Sequence, residues 1–128
     1  MPLLLDTHTF LWWLAGESKL TRKARIAIEA EDEEVFVSAV TAWEIATKFR
    51  IGKLPEARLV AENMEASVRS EGFLQLAVSM AHAQHAGALD SIHRDPFDRM
   101  LIAQALLDDL TLVSNERVFN RYGVKRLW

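Results

Sequence analysis

Four acidic residues carry the strongest chemical signal in this sequence: Asp6, Glu44, Asp98 and Glu116. Asp6 directly follows the apolar run Leu3-Leu4-Leu5, and Glu44 is expected in the first turn of the helix after Val35-Phe36-Val37. Asp98 falls in the first turn after Asp95-Pro96, and Glu116 follows Thr111-Leu112-Val113 with Ser114 and Asn115 between. Each acid alone has a structural use. Asp6 can cap a helix that starts at Thr7. Thr41-Ala42-Trp43-Glu44 matches the S/T-x-x-E capping box. Asp95-Pro96 reads as an N-cap with proline at the first helical position, and Glu116 suits the positive end of a helix. Jointly the acids point elsewhere. Carboxylates gathered in one crevice repel each other unless a cation sits among them. Hard oxygen donors without cysteine suit Mg2+ or Mn2+. Such ions support phosphodiester hydrolysis by acidifying an attacking water and steadying the leaving oxygen. No nucleophilic side chain is then required, in keeping with a chain that has 0 cysteines.

The elements that must position these acids alternate between short apolar runs and helical stretches. Strands are expected at Leu3–Leu5, Val35–Val37, Leu74–Val78 and Thr111–Val113, with a last one beginning at Gly123-Val124-Lys125. Helices are expected from Thr7 to about Ala15, from Thr21 into the acidic run Glu31–Glu34, from Thr41 to about Ile51, from about Glu56 to Glu71, from Ser79 to about Ala86, and from Pro96 to about Asp108. Continuous apolar strands separated by helices indicate a parallel sheet covered on both faces. The fold class is α/β, a three-layer α/β/α sandwich with a short parallel sheet. Asp6, Glu44 and Glu116 follow strand ends, which in such a sheet lie along one edge where ligands bind.

Length and composition narrow the functional classes. The 128 residues fit a single domain, and 50% hydrophobic residues can fill its core. The opening Met-Pro-Leu-Leu-Leu-Asp lacks the basic region of a signal peptide, and no uncharged apolar run is long enough for a membrane span. A cytoplasmic protein without membrane contact is expected. The net charge of −3 does not advertise nucleic-acid binding. Basic residues do cluster locally, at Arg22, Lys23 and Arg25, at Lys48, Arg50 and Lys53, and at Arg121, Lys125 and Arg126. They read either as solvated surface or as guides for a phosphate backbone.

These residues resemble the PIN-domain family. Leu4-Leu5-Asp6-Thr7-His8 is similar to its opening motif, and Val37 to Ile45, ending Trp43-Glu44-Ile45, to its second. His93-Arg94-Asp95-Pro96-Phe97-Asp98-Arg99-Met100-Leu101-Ile102-Ala103-Gln104-Ala105 resembles the third very closely, and Leu112-Val113-Ser114-Asn115-Glu116 the fourth. The likeness runs from residue 3 to the C-terminus. It implies a metal-dependent ribonuclease of the VapC toxin type that acts on RNA, forms a homodimer and is inhibited by a cognate antitoxin protein. It implies Asp6, Glu44 and Asp98 as the core acids for Mg2+ or Mn2+, with Glu116 as the fourth. Two departures stand out. Glutamate at 116 replaces the aspartate usual in the family, and Leu89-Asp90-Ser91-Ile92-His93 lacks the proline expected after Leu89.

Secondary expectations follow from the same motifs. Asp95 is assigned to capping and Asp98 to metal. Thr7 and Ser114 are either caps or hydrogen-bond partners of a carboxylate or a metal-bound water. His93 and Arg99 meet either a phosphate or a salt-bridge partner. His82 and His85 read as surface or partly packed, and the adjacent Trp12 and Trp13 suggest a partner surface. Two alternatives to the ribonuclease remain. One is a catalytically silent PIN-like module that binds RNA or protein. The other is a haloacid-dehalogenase-type phosphohydrolase, which requires Asp-x-Asp-x-Thr, whereas His8 stands at the second aspartate.

Overall fold

The computed structural model describes residues 1–30, 32–90 and 93–128. The strands β1 (Leu3–Leu5), β2 (Val35–Ser38), β3 (Leu74–Leu76), β4 (Thr111–Val113) and β5 (Arg126–Leu127) form one sheet in the order β3-β2-β1-β4-β5, with every pairing parallel. The helices are α1 (Thr7–Ala15), α2 (Arg22–Glu29), α3 (Ala39–Arg50), α4 (Arg58–Glu62), α5 (Met64–Ser70), α6 (Met80–Ala88) and α7 (Pro96–Leu107). Short 3-10 helices span Pro55–Ala57 and Arg117–Tyr122.

Alternating side chains along the strands feed two cores. Leu3, Leu5, Val35, Val37 and Val113 pack with Phe10 of α1, Ala24 and Ile28 of α2, Ile45 of α3 and Val68 of α5. Leu4 and Leu112 belong to the opposite core, with Leu101, Ile102 and Ala105 of α7, Val40 and Phe119. The three-layer expectation is met. Leu4 and Leu112 are fully buried, each contributing about 2 kcal/mol of transfer free energy.

The chain runs from β1 outward to β2 and β3, then crosses back to place β4 on the other side of β1. The strand order therefore reverses at β1, which opens a crevice at the carboxyl ends of β1 and β4. Local signals set what enters it. Asp6 caps α1, and Gly16, at φ 66°, ends it in the left-handed conformation that glycine adopts without strain. Ser79 and His82 form a reciprocal capping box on α6.

Several boundaries differ from expectation. Helix α3 starts at Ala39, because Ser38 rather than Thr41 caps it, accepting from the Val40 amide at 3.0 Å. The single helix expected from Glu56 to Glu71 is a 3-10 turn followed by α4 and α5, broken at Asn63. The Asn63 side chain donates to the Leu59 carbonyl at 2.9 Å, and Ser67 Oγ donates to the Asn63 carbonyl. Such local polar bonds compete with the helical ladder. Gly87 lies inside α6 rather than ending it. Gly123, at φ 74°, ends a 3-10 helix, so the last strand forms later, at Arg126–Leu127. The expected reach of α2 into the acidic run includes Glu31, and the expected change of loop shape after Leu89 includes Ser91 and Ile92; these three lie outside the described residues. Among the described residues no helix is long and apolar enough to cross a membrane.

Candidate active site

Asp6 stands where β1 gives way to α1 and is 4% exposed. Its Oδ1 accepts the Thr9 amide at 2.8 Å, so it caps the helix while facing the crevice. Burial pushes its carboxyl pKa up, against opposing hydrogen bonds from Ser114 and Thr9 and the nearby His8. Ser114, at the end of β4, also accepts the Glu116 amide at 3.0 Å.

Glu44 is buried on α3, in the second turn rather than the first, because Ser38 is the cap. That placement removes the capping-box explanation for this acid. Its Oε1 instead accepts a hydrogen bond from Thr7 Oγ1 at 2.6 Å, and the Thr41 hydroxyl lies 3.2 Å from that of Thr7. Its Oε2 is ion-paired to Lys48, one turn along the helix. Burial lowers the lysine pKa, but its bond to Glu44 and the charges of Glu44, Asp95 and Asp98 outweigh this and hold it above the ordinary value. The sequence alone places Lys48 in a solvated basic cluster; the structure turns it toward the acids.

Asp95 caps α7, accepting the Phe97 amide at 2.9 Å and the Asp98 amide at 3.2 Å. Asp98 is left free to face inward, where its Oδ2 lies 2.8 Å from His93 Nε2. Its pKa is pushed up to about 7, first by burial and then by the charges of Asp95, Glu116 and Glu44, with the His93 bond opposing. Glu116 precedes the 3-10 helix at Arg117 but makes no side-chain capping bond to it. Its carboxyl is raised by burial and by Asp6 and Asp95, and lowered by His8 and His93. The four acids singled out in the sequence are thus linked in a chain, Asp6 acting on Glu116, and Glu116 and Glu44 on Asp98.

The other expected residues sort differently. The Arg99 guanidinium donates to the carbonyls of Ala86, Gly87, Leu89, Asp90 and His93. His82 is buried, accepting the Ser79 amide at Nδ1 and contacting Asp108 at 3.0 Å through Nε2. Trp12 and Trp13 are half-buried. Trp13 bonds Glu71 at 2.7 Å and packs against Phe73, while Trp12 meets His8, Trp128 and Lys19. The exposed tryptophan is Trp43, which no sequence motif singles out as accessible.

The comparisons with known proteins decide the family. The model of the PIN domain matches residues 3–125. The chain is a PIN-domain protein. It is 30% identical over 118 residues to Ribonuclease VapC22 of Mycobacterium tuberculosis (strain ATCC 25618 / H37Rv), a match covering 90% of this chain and 87% of that one. It is 34% identical over 86 residues to Ribonuclease VapC16 of the same organism, covering 59% of this chain and 61%, less than two thirds, of that relative. The DNA-bound VapBC structure from Salmonella typhimurium superposes with a TM-score of 0.71 at 22% identity, covering 99% of this chain and 97% of that one. VapBC2 from Rickettsia felis, bound to a DNA fragment from its promoter, gives 0.70 at 15% identity, covering 99% and 98%. These structures share the PIN fold, and the haloacid-dehalogenase alternative falls away.

PIN-domain ribonucleases as a family use a divalent metal ion, and the donors here suit one. They are hard carboxylate oxygens, and the upward pressure on Asp98 from its acidic neighbours is the kind a cation relieves. Among the described residues no three acid or imidazole groups converge as ligands on one point. Glu44 and Asp98 are turned instead to Lys48 and His93.

Proposed function

We propose that this PIN-domain chain is a single-domain, metal-dependent ribonuclease that arrests growth as the toxin of a toxin–antitoxin pair. The observation that carries the reading is a chain of repulsions through the crevice: Asp6 acts on Glu116, and Glu116 and Glu44 both act on Asp98. The VapC names of the sequence relatives support the activity. The VapBC complexes of the structural neighbours support a cognate antitoxin as partner. Homodimerisation and a cytoplasmic RNA substrate belong to the same proposal.

Asp6, Glu44 and Asp98 would hold Mg2+ or Mn2+, with Glu116 as the fourth acid. When bound, the ion supplies an acidified water and neutralises phosphate charge. The protein's own groups prepare that site. Thr7 fixes one Glu44 oxygen, while Ser114 and the Thr9 amide orient Asp6. His93 orients Asp98, and Arg99 fixes the backbone that carries His93. Lys48 keeps a positive charge beside Glu44. The test is cleavage of single-stranded and structured RNA with Mg2+, with Mn2+ and with EDTA. Cleavage that needs the metal is expected; RNA binding without cleavage under all three conditions would leave a silent binding module in its place.

A further inference from the structure

At the rim of the crevice, the exposed Trp43 directly precedes Glu44 in the chain, and Phe97 directly precedes Asp98. The two rings meet edge to face with centroids 4.7 Å apart, although they come from different helices. The Lys48 ammonium lies over the Phe97 ring, 5.9 Å from its centroid. Trp43 is nevertheless 58% exposed. An isolated exposed apolar side chain would mean little. Here the exposed indole is braced by a second aromatic ring, a partly exposed cation adjoins that ring, and both aromatics flank residues of the acid cluster.

We propose that Trp43, Phe97 and Lys48 form a nucleotide subsite that stacks one unpaired RNA base and holds a neighbouring phosphate beside the acids. This deepens the ribonuclease reading and rests on its RNA substrate. Proteins that bind single-stranded nucleic acid combine an aromatic platform with a cation that tracks the backbone. The edge-to-face contact with Phe97 fixes the indole and leaves ring surface open for a base. Lys48 supplies the charge complementarity that a purely apolar protein partner would not require. Because every base has a π-face, this subsite selects unpaired RNA more than a particular letter.

The test measures binding of labelled single-stranded oligo(A) RNA by fluorescence anisotropy, in the presence of Mg2+, with Asp6→Asn as the parent to prevent cleavage. Adding Trp43→Ala is expected to weaken binding about tenfold, and adding Trp43→Phe to restore most of it. Adding Lys48→Met is expected to weaken binding and lower the dependence of log affinity on log salt by about one. Mn2+ affinity of the Trp43→Ala protein, measured by calorimetry without RNA, should equal that of the unmodified chain. Unchanged RNA affinity on Trp43→Ala, or no RNA binding by the parent, would overturn the subsite. So would a fall from dimer to monomer in sedimentation on Trp43→Ala, which would make the patch an interface between two copies. The ribonuclease reading fails separately: a wild-type chain that cleaves no RNA with either metal, while its Asp6→Asn form binds oligo(A) through Trp43, keeps the subsite and loses the enzyme.

Discussion

Two histidine–aspartate pairs sit at opposite ends of α7 with nearly the same separation. His82 meets Asp108 at 3.0 Å, and His93 meets Asp98 at 2.8 Å. Their surroundings separate them. Asp108 is 37% exposed at the end of α7, and His82 spends its other ring nitrogen on the Ser79 amide. That pair ties the start of one helix to the end of the next. Asp98 is surrounded by Asp95, Glu116 and Glu44, all raising its pKa. The same pair of side chains is a staple in one place and part of a charged crevice in the other. Contact alone does not distinguish them; the field around the carboxylate does.

The largest expected effect comes from removing charge at the crevice. Asp98→Asn or Asp6→Asn should reduce RNA cleavage by about a hundredfold or more, beyond the usual cost of losing a supporting residue. Asp108→Asn should leave cleavage as in the parent chain. Metal-dependent cleavage at the parent rate by either crevice variant would end the contrast.

The histidines sharpen it. His93→Ala should lower cleavage about tenfold by freeing Asp98 from its orienting bond. His82→Ala should cost about 1–2 kcal/mol in urea denaturation, because it deletes a buried side chain that caps α6 and contacts Asp108, with Mn2+ affinity unchanged. Equal losses of activity from both changes would show the two pairs to be equivalent.

A third prediction uses pH. Asp98, raised in the folded state to about 7, binds its proton more tightly there than in the unfolded chain, where 3.8 is usual. Its contribution to stability is complete below the lower value and lost as pH rises through the upper one. Asp6 and Glu116 shift in the same direction. The melting temperature of metal-free protein should therefore fall between about pH 4 and pH 7, and Mg2+ or Mn2+ should restore it at the upper end. Asp98→Asn should flatten the fall. The smallest effect is expected at Asp95→Asn. Asparagine caps about as well as aspartate, so this variant should retain far more cleavage than Asp98→Asn.

The first four strands, and the placing of Asp6 and Glu116 just after strand ends, were legible in the sequence because continuous apolar runs and an acid after a strand end are local signals. The capping role of Asp95 was legible for the same reason, since proline fixes where α7 begins. Glu44 was placed one turn too early. Ser38 and Thr41 both qualify as caps, and only the end of β2 decides between them. The break at Asn63 competes with a favourable helical pattern and was missed. The partners of Lys48 and Arg99 lie beyond local pattern: an i,i+4 pair can sit in solvent or in a crevice, and no motif announces five carbonyl acceptors. The expectation about accessible tryptophan fell on Trp12 and Trp13, but Trp128 and Phe73, both distant in sequence, pack against their rings.

Arg99 has a consequence for divergence within the family. Its guanidinium grips the main-chain oxygens of residues 86, 87, 89, 90 and 93. Every amino acid carries such an oxygen, so the grip is indifferent to which side chains the segment bears. Substitutions at those five residues can alter what they offer to a target while the arginine keeps its hold on their carbonyls. Lysine, with a single nitrogen and no planar fork, would not inherit that tolerance.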